Sequence, residues 1–208
     1  MAVSQRKKDI LDILAKKYEG KGTALKYSSD YELLVAVVLS AQCTDIRVNK
    51  VTERLFKEFN SPLNILSLGQ EKLEEYIRQC GLFRTKAKNI LAASEMILKE
   101  FQGKVPKTFE ELIKLPGVGR KTANVVISNL YNVPAIAVDT HVFRVSNRLE
   151  LAKGKTPLEV EKGLMKVIPE ENWSRAHHWL IWHGRDICRA RNPLCDLCDL
   201  LSLCRFAK

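Results

Sequence analysis

Two residues near the middle of the chain have the type and spacing for chemistry on a phosphate-bearing substrate. Lys121 stands two residues after Gly119 in the run Leu115-Pro116-Gly117-Val118-Gly119-Arg120-Lys121-Thr122-Ala123. Asp139 follows 18 residues later, in Val138-Asp139-Thr140-His141. A lysine amine becomes a nucleophile once neutral, and a carboxylate can stabilise developing positive charge or help activate a water. On its own, this motif would also fit a hairpin that only binds backbone, with Lys121 as one more phosphate contact.

The elements that must position these groups are legible around them. Glu110 to Leu115 can close one helix, which Pro116 cannot continue because it has a fixed φ and no N–H. Gly117 and Gly119 supply backbone freedom for a tight hairpin. Thr122 to Leu130 carries Ala123, Val126, Ile127 and Leu130 at helical spacing, and Val133-Pro134 ends that helix. The unit is helix, glycine hairpin, helix, and its amides at a helix N-terminus favour an anion. Asp139 is placed to cap a further helix that carries His141 and Arg144 and runs to about Leu149.

A second constellation closes the chain. Cys188, Cys195, Cys198 and Cys204 give the spacing C-x6-C-x2-C-x5-C. Four clustered cysteines in an intracellular protein point to a metal site sooner than to disulfides. Zinc and iron–sulfur clusters both accept four thiolates, although zinc sites more often pair two C-x2-C units and only one is present. The loop between the first two cysteines carries Arg189 and Arg191, which suit phosphate contacts. Cys43 and Cys80 read as small packing residues, and His177, His178 and His183 as polar-face or packing residues.

The remaining composition sets the frame. The 208 residues suffice for one domain or two small ones, and 34 Lys and Arg against 24 Asp and Glu give a formal charge of +10. That balance, with a pI near 9.4, suits a polyanionic partner. The longest clear apolar run, Leu33 to Leu39, is far too short to span a membrane. Met1 to Ile13 is charged and amphipathic, without the apolar core of a signal peptide. A soluble, cytoplasmic protein is expected.

Helical periodicity recurs along the chain. Helices are expected over Ser4 to Tyr18, Tyr31 to Ser40, from Thr44 or Asp45 with Phe59 still on the core face, over Glu71 to Gln79, and over Arg84 to Phe101. Thr156-Pro157 starts another to Ile168, and Trp173 to Ile187 forms the last. Ser28 or Ser29 can cap Tyr31 to Ser40, which is apolar nearly all round and so should be buried. No alternating strand pairs with hairpin turns occur, so the chain is expected to be all-α.

Three motifs, in order, resemble the endonuclease III family of DNA glycosylases: LPGVGRKTA at Leu115 to Ala123, VDTH at Val138 to His141, and the four-cysteine tail. The resemblance runs from about Ser28 to Cys204. It implies two helical lobes with a DNA cleft between them. One is a six-helix barrel with the helix-hairpin-helix, residues 23–133; the other, residues 1–22 and 134–208, holds a [4Fe-4S] cluster on Cys188, Cys195, Cys198 and Cys204. It also implies a monomeric base-excision-repair glycosylase and AP lyase acting at the nucleoid, on duplex DNA with oxidised pyrimidines or abasic sites. Lys121 would form a Schiff base with the sugar, assisted by Asp139, and β-elimination would cut the strand. Gln42 of Ser40-Ala41-Gln42 would fill the gap left by a flipped base, and Leu82 would wedge into the stack. DNA contacts are further expected from Gly117, Gly119, His141, Arg144, Arg189 and Arg191. Two rivals stand beside this reading. An adenine-mismatch glycosylase of the same superfamily would usually carry serine where this chain has Lys121, and a non-enzymatic DNA-binding module would need no Lys121–Asp139 pair.

Overall fold

The most apolar helix sets the pattern of its half of the chain. In the computed structural model, which describes residues 3–207, Asp30–Ser40 is helical and every residue from Tyr31 to Leu39 is buried. A helix apolar on all sides must be surrounded by other helices. Met1 and Ala2 of the charged N-terminal stretch, and Lys208, lie outside the described residues. Among those described, the regular elements are all helical: α1 Gln5–Lys17, α2 Asp30–Ser40, α3 Asp45–Leu55, α4 Pro62–Ile77, α5 Phe83–Glu100, α6 Phe109–Leu112, α7 Arg120–Leu130, α8 Thr140–Arg148, α9 Pro157–Met165 and α10 Trp173–Asp186, with short 3-10 turns at Glu170–Asn172, Cys195–Leu197 and Leu201–Leu203.

Helix starts follow capping chemistry closely. The hydroxyls of Ser29, Thr44, Ser61, Thr108 and Thr156 accept from the N–H of Glu32, Arg47, Asn64, Glu111 and Glu159, so each offsets one of the four orphan donors at a helix N-terminus. Of the candidate caps, Ser29 rather than Ser28 starts α2, and Thr44 rather than Asp45 starts α3.

Three expectations are corrected. The helix expected over Glu71 to Gln79 begins much earlier, at Pro62, behind the Ser61 cap. A break at Gly69 (φ 71°, ψ 176°), a conformation open essentially to glycine alone, hides the first segment from a periodicity count. Next, α3 stops at Leu55; Phe59 lies beyond it and packs edge-on against Tyr76, ring centroids 5.7 Å apart. Finally, α6 has four residues, and the chain reaches the buried Leu115 in a turn.

The chain divides into two compact units, one of residues 24–131 and one joining the segment before Ala24 to the segment from Asn132 onward. The continuous unit contains α2 to α7, with Leu33, Leu39, Leu55, Ile65, Leu73, Ile77, Ile97, Leu112 and Leu115 at or near zero exposure. In the other, Ile10 and Leu14 of α1 share a core with Val142, Val145 and Leu149 around α8, Val160 and Leu164 of α9, and Ala176 and Leu180 of α10.

The two hairpin glycines are unlike each other. Gly117 has φ +80°, and a Cβ there would lie 2.8 Å from Asn89 Cβ. Gly119 is extended (φ −91°, ψ 177°), caps α7 without a side-chain bond, and would give a Cβ nothing within 4 Å. Only Gly117 is required by the fold. Gly117→Ala should therefore lower stability by about 1–3 kcal/mol, from left-handed strain plus the clash. Gly119→Ser, which supplies a capping hydroxyl, should leave the melting temperature unchanged or raise it. Thermal denaturation of the pair checks this, and an equal loss in both would contradict it.

Candidate active site and cysteine pocket

Lys121 is exposed on the first turn of α7, directly after the hairpin. The hairpin is closed by Val118 N–H donating to Leu115 O (3.0 Å), and Ala123 N–H donates to Gly119 O (2.9 Å) to start the helix. The neighbouring Arg120 guanidinium lies 5.1 Å from the centre of the Phe109 ring, which anchors its stem beside α6. The first amides of α7 thus form a positive helix end next to a primary amine.

In the same unit, Gln42 and Leu82 occupy a pair of matched turns. Both adopt left-handed backbone, φ 53° and φ 57°, at a cost of roughly 1–3 kcal/mol each for residues with a Cβ. Gln42 is exposed and Leu82 is 60% exposed. Gly81 lets the turns meet, since a Cβ there would lie 3.3 Å from Gln42 O. Beneath them, buried Lys86 donates to Leu39 O (2.8 Å) and Ala41 O (2.6 Å), the carbonyl end of α2. Burial lowers the Lys86 pKa, and the nearby Cys80 and Cys43 sulfurs act the other way. A plain hydrophobic staple would need neither strained turns nor a buried ammonium.

In the other unit, Asp139 is the N-cap of α8. Its Oδ1 accepts from the N–H of His141 (2.9 Å) and of Val142 (2.8 Å), so the cap does not use Oδ2. The carboxylate is half-buried and held at a fixed place by the fold. His141, next along, is half-buried; burial first, then Arg144 and Arg185, lower its pKa against the pull of Asp139.

The Arg144 guanidinium is engaged within its own unit. Its Nε donates to Cys188 O (3.0 Å), its Nη2 to Gly184 O (2.9 Å), and Nη2 lies 3.2 Å from His141 Nδ1. These bonds commit the guanidinium to tying α8 to the end of α10. Gly184 allows that approach, because a Cβ there would lie 3.0 Å from His141 Cβ and 3.2 Å from Arg144 Nη2.

The four tail cysteines are all half-buried free thiols, and they line one pocket with Leu149, His183, Ile187 and Pro193. Leu194 N–H donates to Ile187 O (3.0 Å) and closes the first loop; Cys198 N–H donates to Cys195 O (3.0 Å) in the next turn. Burial raises the Cys198 pKa, and Cys204, Cys188 and Cys195 each add to that rise, so the thiols are electrostatic neighbours. Among the described residues, no group of three or more His, Cys, Asp or Glu gathers on one single-ion position.

Two residues that the sequence did not single out, Lys86 and Arg148, and one read there only as a polar-face or packing residue, His183, hold these sites. Lys86 was hidden in the polar face of α5. Arg148 donates to Arg189 O (2.7 Å) and Ala190 O (3.1 Å), lies 3.5 Å from Cys188 Sγ and stacks 4.2 Å from the Phe206 ring centre. It holds the backbone of the first cysteine loop, which leaves the side chains of Arg189 and Arg191 exposed. His183 is buried, with Nε2 3.8 Å from Cys198 Sγ and Nδ1 3.4 Å from the Tyr18 hydroxyl. Its place five residues before Cys188 was the available signal. His177 is a packing residue, its Nδ1 2.7 Å from Ala137 O.

Residues 35–170 match the family model described as HhH-GPD superfamily base excision DNA repair protein. The chain is 51% identical to Endonuclease III of Rickettsia prowazekii (strain Madrid E) over 197 residues, 95% of this chain and 93% of that protein. It superposes with a TM-score of 0.95, at 50% identity, on a non-covalent Endonuclease III–DNA complex, covering 100% of this chain and 97% of that one. A trapped Endonuclease III–DNA covalent intermediate, the estranged-adenine complex, gives the same TM-score and identity with 100% and 98% covered. The chain therefore belongs to the endonuclease III family, the bifunctional DNA glycosylases and AP lyases within the HhH-GPD superfamily of base excision DNA repair proteins.

The Arg148 clamp generates a prediction. Arg148→Ala removes both donors from the loop carbonyls and should destabilise the protein by about 1–3 kcal/mol, read by thermal denaturation. Arg148→Lys should recover little of this, because one ammonium cannot reproduce a two-pronged guanidinium. Full recovery by lysine would show that charge rather than geometry matters.

Proposed function

We propose that this chain excises oxidised pyrimidines from duplex DNA through a Schiff base on Lys121, then cuts the strand by β-elimination. The observation that carries the reading is the exposed amine of Lys121 on the first turn of α7, immediately after the glycine hairpin. The helix end favours a phosphate alongside that amine.

The chemistry follows from these groups. The damaged nucleotide leaves the stack and presents C1′. The neutral Lys121 amine attacks C1′, and the base departs with the glycosidic bonding electrons and takes up a proton. Opening of the sugar yields an iminium between Lys121 and C1′. Loss of a proton from C2′ then expels the 3′ phosphate, and water releases the lysine. Asp139 stabilises the positive charge that builds on the sugar; its cap bonds through Oδ1 hold the carboxylate ready.

Gln42 and Leu82 are assigned to the lesion. An exposed amide can meet the orphaned base and an exposed apolar side chain can fill the stack, so part of the cost of extrusion is offset. Gly119, which nothing in the fold requires, keeps the hairpin backbone open to a phosphate, and Arg189 and Arg191 face the DNA backbone. Arg144 is instead a positioning residue for the VDTH helix. Such an enzyme would act as a monomer in the cytoplasm, at the nucleoid; no described helix is long and apolar enough to cross a membrane.

For the tail we assign a [4Fe-4S] cluster to Cys188, Cys195, Cys198 and Cys204. An all-thiol donor set sharing one pocket fits that group. The cluster, when bound, supplies cross-linking and folding energy to the loop that carries Arg189 and Arg191.

Two measurements test these assignments. Borohydride should trap the protein covalently on abasic-site DNA, whereas Lys121→Gln should give no adduct and no excision yet keep most of its DNA affinity. An adduct with the variant would mean that another amine is the nucleophile. Protein made with ample iron should be yellow-brown and carry about four iron atoms per chain. Stoichiometric zinc in its place would overturn the cluster assignment.

A further inference from the structure

The two cysteines outside the tail are not isolated packing residues. Cys43 follows Gln42 and Cys80 precedes Gly81-Leu82, and the two turns touch there, a Cβ on Gly81 lying 3.3 Å from Gln42 O; each thiol is within electrostatic reach of the other. Cys80 is fully buried and Cys43 half-buried. Their backbones are pinned, with Cys43 N–H donating to Ser40 O (3.1 Å) and Cys80 N–H to Ile77 O (2.8 Å). Gly81 keeps the turns in contact, and the Lys86 ammonium below carries a positive charge that both sulfurs feel. Facing Cys80 are therefore Cys43, Lys86 and Arg47. This is a vicinal thiol pair joining the two turns that carry Gln42 and Leu82.

We propose that Cys43 and Cys80 are a reversible oxidation site, whose disulfide locks the two turns together and suppresses lesion excision. The functional half of this inference rests on the lesion roles assigned above to Gln42 and Leu82. The oxidant class is a hydroperoxide. The partly exposed Cys43 sulfur attacks the O–O bond, leaving an alcohol and a Cys43 sulfenic acid. Cys80 sulfur then attacks Cys43 sulfur, and the departing hydroxide combines with the Cys80 proton as water. Cys80 is fully buried, and burial followed by the neighbouring Cys43 pushes its thiol up to about 12, so it is Cys43 that meets the hydroperoxide; Cys80 reacts second, giving up its proton to the departing hydroxide. Bond formation draws the two sulfurs to covalent distance, and the adjacent strained Gln42 and Leu82 must move with them. Disulfides in reducing compartments are usually of this transient, sensing kind.

The holoenzyme is treated with tert-butyl hydroperoxide and digested, and the fragments are mapped by mass spectrometry. A Cys43–Cys80 linked peptide, two hydrogens lighter than the separate thiols, is expected. Excision from a duplex bearing an oxidised pyrimidine should fall by roughly tenfold to a hundredfold, the scale of a misplacement of about 1 Å, and dithiothreitol should restore it. Cys43→Ser and Cys80→Ala, treated alongside, should keep their activity; their losses measure any damage to the tail cysteines. If Cys80→Ala is poorly folded, Cys43→Ser alone carries the control. Oxidation of Cys43 to a sulfinic acid without a linked peptide would overturn the site. A linked peptide with unchanged excision would overturn the switch. Borohydride trapping of the reduced protein reports separately on the Lys121 reading, so its failure is not confused with either result.

Discussion

The buried ammonium of Lys86 is the constraint on which the continuous unit's working surface depends. An apolar helix buried on every side, such as α2, must leave its last carbonyls in a place that water does not reach easily. Lys86 supplies the donors, two of them at 2.8 and 2.6 Å. A cation at a helix C-terminus is favoured by the dipole, and the hydrogen bonds offset the cost of its burial. Because Lys86 sits on the first turn of α5, the same bonds fix the start of α5 against the end of α2. The turns bearing Gln42 and Leu82 are thereby over-determined, which is what strained left-handed residues need in order to persist.

In the discontinuous unit two arginines of α8 do comparable work on a larger scale. Arg144 and Arg148 lie one helical turn apart on one face and together reach the carbonyls of Gly184, Cys188, Arg189 and Ala190. The helix that Asp139 caps is therefore also the helix that holds the first cysteine loop. A planar guanidinium with several fixed donors can hold a loop this way, and a lysine cannot.

Much of this was legible in the sequence because it is written in local chemistry. Caps such as Ser29, Thr44 and Thr156, and the all-round apolar run of α2, state their elements within a few residues. Lys121, Asp139 and the tail cysteines stood out by type and spacing. What escaped depended on long-range contact. Lys86 looks like any polar-face lysine until its carbonyl partners, 45 and 47 positions away, are known. The carbonyl partners of Arg144, 40 and 44 positions away, are equally invisible in the sequence. The first half of α4 was missed although Ser61-Pro62 announced it, because the break at Gly69 disrupts the helical period. Cys43 and Cys80 are 37 positions apart in sequence, and nothing local signals that they meet.

The order of the segments along the chain also bears on how the protein is made. The unit of residues 24–131 is continuous, and most of its helix contacts join successive helices, an arrangement that favours its folding as a unit during synthesis. The first helix to emerge cannot. The apolar face of α1, with Ile10, Leu11 and Leu14, packs against residues between Ile136 and Leu200. It must wait through synthesis of an entire intervening unit before its partners exist. Strongly charged residues on its other faces, such as Arg6, Lys7, Lys8, Lys16 and Lys17, keep that nascent helix solvated in the interval. Its contacts reach as far as residue 203, where Arg6 donates to Leu203 O at 2.8 Å.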